Sequence, residues 1–227
     1  MNTERAATPP LDQYPVSHEF NNYTKKSRHG HSKDVVDEND VRQVAGCVPI
    51  DIQNGRVLLI SSRKNKDAWV LPKGGWEQDE TQQHAAQRET WEEAGIKGTI
   101  VKQLGVFEEL TNKKRRLKAH HWIFEMHIEE VVKKFPERKK RERRWFTLHE
   151  ALIATKTHRY IQEALLKSSL NPDVVKATKE AEISLIQEAP PSPRGSISDV
   201  ETEKQLHEEC SELEKPSLLN SIWPILG

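Results

Sequence analysis

LPKGGWEQDETQQHAAQRETWEEAGI, running from Leu71 to Ile96, is the stretch whose reading decides the fold. It opens on Pro72, Gly74 and Gly75 and closes on Gly95, with a helix-compatible run between them. Side chains three and four apart share one helical face. Glu89, Glu92 and Glu93 stand at i, i+3 and i+4 and therefore project together. Three crowded carboxylates repel one another, so a positive charge must offset them. A hard divalent cation such as Mg²⁺ takes carboxylate oxygens as ligands and keeps waters for its remaining positions.

Working outward, Val41 to Ile50 reads as a largely buried strand, and Asn54-Gly55 is a hairpin signal before the return strand Arg56 to Ser62. Ala68 to Leu71 is a short strand entering the glycine-rich turn. Gly95 fits a helix C-cap and Gly98 a second bend. Thr99 to Glu108 and His121 to Ile128 read as neighbouring strands, and Arg144 to Thr147 as a short one. Leu148 to Lys167 is helical with a break near Thr157. Strands on both sides of one central helix, followed by a terminal helix, predict an α/β fold in which a mixed sheet packs between helices.

Gly74, Glu80, Arg88, Glu89, Glu92, Glu93, Gly95 and Ile96 stand at the spacing of the Nudix box, and the segment resembles that family. The one departure is Thr90, where the family usually carries an aliphatic side chain; the Thr methyl group can take that place. The resemblance implies a Nudix fold and a Mg²⁺-dependent hydrolase, with Mn²⁺ as an alternative metal. By the same resemblance Glu89, Glu93 and the backbone carbonyl of Lys73 hold the metal, and Glu92 is the catalytic base that orients or deprotonates water. Glu80 supports the metal shell, and Arg88 holds carboxylates in place.

The flanks carry a narrower resemblance. Val44 to Val48, Trp69 to Gly75, Arg88 to Gly95, Lys134 to Glu137 and Arg144 to Phe146 are similar to diphosphoinositol polyphosphate phosphohydrolases, the fungal members above all, which are also called diadenosine polyphosphate hydrolases. The resemblance covers about residues 40 to 168. It implies a basic ring around the metal: Arg42, Ser62, Arg63, Lys64, Lys73, Gly74, Gly75, Lys118, Arg141 and Arg159. A substrate with many phosphates needs several Arg and Lys donors rather than a nucleobase pocket. Two alternatives stand beside this one. The first is a Nudix enzyme for nucleoside triphosphates or messenger-RNA caps, with Trp76 or Trp122 as the stacking partner. The second is a Nudix module that senses its ligand without cleaving it.

The chain has 227 residues and a formal net charge of +0. That balance hides a basic middle, with thirteen Lys/Arg against five Asp/Glu from Lys113 to Arg144, and an acidic end, with five against eleven from Asn171 to Gly227. The middle suits an anionic small molecule; the end speaks against a chain that coats nucleic acid. The two cysteines, Cys47 and Cys210, form no metal spacing and no convincing disulfide, and the N-terminus lacks an apolar signal core. A cytosolic or nuclear enzyme without a membrane anchor is expected. Residues 1–37 are expected to be a disordered tail, 38–168 the catalytic domain, and 169–227 an acidic, mostly flexible tail. Within the last segment, Val174 to Gln187 is helix-compatible, and Ser192, Ser196 and Ser198 are candidate phosphorylation sites. The apolar end from Leu218 is a docking segment for a protein partner or folds back on the domain.

Overall fold

The computed structural model describes residues 21, 23–28, 33–65, 67–111 and 116–188. The candidate phosphorylation sites and the apolar segment from Leu218 lie outside those residues. The described chain up to Ser184 belongs to one compact unit.

Seven strands form one sheet: β1 (Arg42–Asp51), β2 (Arg56–Ser61), β3 (Trp69–Val70), β4 (Lys73–Gly75), β5 (Ile96–Leu110), β6 (Leu117–Val131) and β7 (Arg143–Phe146). The order is β3-β2-β1-β6-β5, with β4 paired to β1 and β7 to β2. β1 runs parallel to β6, while β1–β2, β1–β4, β2–β3, β2–β7 and β5–β6 are antiparallel. The sheet is therefore mixed, and helices α1 (Gln82–Ala94), α2 (Leu148–Ala154), α3 (Arg159–Lys167) and α4 (Pro172–Glu188) accompany it. β1 is central, so Val44, Ala45, Cys47, Val48 and Ile50 are buried as a nearly continuous apolar run.

Local chemistry explains the boundaries. Thr81 caps α1 by accepting from the His84 N–H, and Gly95 ends it at φ 63°, a left-handed position that glycine adopts without strain. Thr147 and Glu150 close a capping box at the start of α2. The break near Thr157 separates α2 from α3. Gly98 makes no chain bend; β5 continues through it, with a register shift between Lys97 and Gly98. Both β5 and β6 are longer than the alternation predicts, at 15 residues each.

Residues 23–28 and 33–37, assigned by composition to a disordered tail, hold defined contacts. Asp34 bridges Glu77, Val36 bridges Arg42, and the Trp91 indole donates to the Thr24 carbonyl at 2.9 Å. Few large apolar residues are needed where polar groups of the domain supply the anchors.

Candidate active site

The site is built where β4 meets α1. β4 pairs with Val44–Gly46 of β1, which sets Lys73, Gly74 and Gly75 beside the carboxylate face of the helix. A Cβ at Gly74 would collide with the carboxylate of Glu89, so a side chain there would displace that carboxylate. At the centre lies Arg88, 2% exposed. Its guanidinium donates to Glu80 through Nε (2.9 Å) and Nη2 (2.6 Å), to Glu89 Oε1 (2.7 Å) and to the Gly75 carbonyl (2.9 Å). These partners push its pKa up against the cost of burial. Glu80 also accepts the Glu77 N–H at 3.1 Å, so its oxygens are committed to aligning Arg88 and the loop.

Glu89, Glu92 and Glu93 all line one cavity of about 410 Å³. Glu93 accepts the Lys73 N–H at 3.0 Å and pairs with Arg141. Arg141 also donates to Glu137 (3.1 Å) and the Ser61 carbonyl (3.2 Å). Burial and the neighbouring Arg63 lower its pKa to about 10, which leaves it charged at neutral pH. Glu92 Oε2 accepts the Arg28 N–H at 3.0 Å, whereas Oε1 is buried without a hydrogen-bond partner among the described residues. Burial first, and then the charge of Glu89, raise the Glu92 pKa to about 7. Burial also raises that of Glu89, against the pull of Arg88.

This donor set fits a hard divalent cation in kind, and Glu92 Oε1, 3.8 Å from Arg88 Nη1, is buried without a hydrogen bond among the described residues. Among the described residues, no group of three or more His, Cys, Asp or Glu is drawn together as a metal site. Arg88 and Arg141 instead hold Glu89 and Glu93 with their own charge.

A second cavity of about 290 Å³ adjoins the first, and Arg42, Arg63, Lys73 and Gly74 line both. Ser62, Lys64, Lys118 and Arg141 line only the second, and Gly75 only the first. Arg159 is not brought in: its side chain is 88% exposed and paired with Glu163, while its neighbours His158 and Tyr160 line the second cavity. Residues 112–115 of the basic loop before Lys118 lie outside the described set. Trp76 and Trp122 line neither cavity. They pack edge-to-face on each other at 6.1 Å and donate to the Glu80 carbonyl and to Gln43.

Sequence reasoning does not single out Glu109 or Arg28. Glu109, an acid in the basic cavity, accepts from Lys118 (2.6 Å) and pairs with His121 (3.0 Å), which hold its carboxyl at about 2. His121 is buried, stacked on Tyr160 at 4.2 Å, and burial lowers its pKa to about 4. Arg28 was not foreseen either. Nothing in the residue pattern around it marks a contact with a helix more than fifty positions away.

The profile of the NUDIX domain matches residues 40–167. Nudix hydrolase 4 of Arabidopsis thaliana is 36% identical over 135 residues, 55% of this chain and 64% of that protein, so the match spans just under two thirds of the relative's length. Nudix hydrolase 16, mitochondrial, of the same plant is 31% identical over 170 residues, 65% of this chain and 90% of the relative. Diphosphoinositol polyphosphate phosphohydrolase 3-alpha of Mus musculus is 34% identical over 113 residues, 49% of this chain and 66% of that protein. These relatives are plant and mouse proteins and do not single out the fungal members. A NUDIX hydrolase structure from Nitrosomonas europaea superposes with a TM-score of 0.44 at 24% identity, over 56% of this chain and 69% of that one.

Proposed function

The chain belongs to the Nudix family, and on that premise we propose that it is a phosphohydrolase of diphosphate-containing substrates that acts on diphosphoinositol polyphosphates, removing the β-phosphate, and on diadenosine polyphosphates and inorganic polyphosphate. The observation that carries this reading is the second cavity. Its cationic side chains adjoin the carboxylates, and the two candidate stacking tryptophans are turned into packing elsewhere. A site rich in Arg and Lys suits a ligand whose recognition is mostly phosphate.

Mg²⁺, the metal this family generally uses, or Mn²⁺ in its place, supplies charge neutralisation and a more acidic water when bound. Glu89 and Glu93 would hold it, with the Lys73 carbonyl. Arg42, Arg63 and Lys73 line both cavities and would grip the phosphates that flank the scissile bond. Ser62, Gly74, Gly75, Lys64, Lys118 and Arg141 would bind and orient the rest of the substrate. Glu92, with one carboxylate oxygen free of hydrogen bonds among the described residues, would take the proton of the attacking water at Oε1. The same reading places the enzyme in the cytosol or nucleus, with a small polyphosphate as substrate, no membrane and no stable nucleic-acid complex. A protein partner belongs to the acidic tail.

The experiment is one assay panel at fixed Mg²⁺ across diphosphoinositol polyphosphates, dinucleoside polyphosphates, polyphosphate, nucleoside triphosphates and capped RNA. The inositol and dinucleoside substrates should lead; preference for triphosphates or caps would defeat the substrate assignment. Glu92→Gln should nearly abolish phosphate release. Arg42→Ala should raise KM for the inositol substrate more than for a simple nucleotide, with Arg159→Ala the weaker of the two because of its exposure.

A further inference from the structure

Residues 23–28 lie along α1 beside the carboxylate cavity. The Trp91 indole donates to the Thr24 carbonyl at 2.9 Å, and the Tyr23 ring meets the Trp91 ring edge-to-face at 5.2 Å. Lys97 Nζ sits 5.3 Å from the Tyr23 ring centroid. At the other end the Arg28 guanidinium pairs with Glu77 at 2.9 Å and Asp79 at 3.1 Å. Held at both ends, this short segment presents the Arg28 main-chain N–H to Glu92 Oε2 at 3.0 Å. Arg28 itself lines the carboxylate cavity.

A glutamate side chain turns about three bonds, and a base works only if the accepting atom stays within reach of the proton. The N–H occupies one oxygen of a side chain that is 2% exposed, and the other oxygen has no hydrogen-bond partner among the described residues, with Arg88 Nη1 3.8 Å away. We propose that Arg28 is a positioning residue for the hydrolysis: its backbone N–H fixes Glu92 Oε2, so that Oε1 is the atom that takes the proton. Tyr23 and Trp91 hold the segment in register, and the two ion pairs of the guanidinium set its height over the helix. The inference rests on the role of Glu92 given above.

The full-length protein tests it. Arg28→Pro removes the N–H, whereas Arg28→Lys keeps it along with a cation. A hydrogen bond to a charged group supports an expected kcat loss of about tenfold or more for Arg28→Pro, with KM within about twofold of wild type, and recovery in Arg28→Lys. In a Glu92→Ala background Arg28→Pro should cost nothing further, because the two act as a unit. A second measurement needs neither substrate nor metal: hydrogen exchange of the Arg28 amide should speed up about tenfold in Glu92→Ala, while Tyr23→Ala, which loosens the segment away from the site, should speed it as well. Unchanged kcat in Arg28→Pro, an equal loss in both backgrounds, or unaltered amide exchange in Glu92→Ala would overturn the positioning role. Full turnover by Glu92→Gln would overturn the assignment of Glu92 instead, which keeps the two failures apart.

Discussion

Replacing Arg88 with Met removes the buried cation that four acceptors share. Its guanidinium satisfies both oxygens of Glu80, Oε1 of Glu89 and the Gly75 carbonyl, at 2.6 to 2.9 Å. The side chains of Arg88 and Glu80 are 2% and 7% exposed, so water cannot take over those bonds without opening the helix. Breaking a buried ion pair from one side costs about 3–5 kcal/mol, chiefly because the abandoned charge stays buried. Each kcal/mol lowers Tm by about 2–4 °C in a domain of this size, so Arg88→Met should melt roughly 10 °C below wild type. Paired removal in Glu80→Gln/Arg88→Met should recover about 1–2 kcal/mol, since the orphaned acid goes as well. Urea denaturation without divalent metal gives the three stabilities directly. If Arg88→Met lost under about 1 kcal/mol, or the double variant were no better than the single, Arg88 would not be the organiser of the site.

Two further outcomes follow from the geometry. The Glu92 carboxyl sits at about 7 against an ordinary 4.5, so its protonated form is favoured in the folded state. Folding is therefore penalised once pH exceeds the unfolded value, and metal-free stability should fall between about pH 4.5 and 7 by something on the order of 3 kcal/mol, then level off. Glu92→Gln should flatten that portion of the curve; an unchanged slope in that variant would refute the assignment. Gly74→Ala places a methyl group on the Glu89 carboxylate, the movable end of a side chain. It should fold within a few degrees of wild type, yet need about tenfold more Mg²⁺ for half-maximal activity, a shift that a metal titration of initial rate would detect.

Much of this architecture is legible in the residues because the signals are local. The i, i+3, i+4 carboxylates, the Gly95 cap and the Asn54-Gly55 turn each depend on a few neighbouring positions. Thr90 is tolerated in an aliphatic place because its hydroxyl donates to the Ala86 carbonyl at 2.7 Å, so the buried oxygen is satisfied within the helix. What stayed hidden is long-range. Composition marks residues 23–28 as tail, since their anchoring uses one indole, one carbonyl and two ion pairs rather than a run of apolar side chains. The partnership of Glu109 with His121 depends on the register between β5 and β6, and shifts near Gly98, Gly105 and Leu110 blur the alternation that would reveal it. Arg159 failed to join the cavity for a similar reason: the helical turn that carries His158 and Tyr160 inward carries Arg159 out.

The wall common to both cavities has a consequence for how such an enzyme diversifies. Arg42, Arg63, Lys73 and Gly74 serve the bond-breaking end and the ligand-gripping end at once, so a change there alters rate and selectivity together. Ser62, Lys64 and Lys118 touch only the outer chamber. Descendants of this chain could exchange those three for other side chains, trading one clientele of phosphorylated molecules for another while the engine beneath stays untouched.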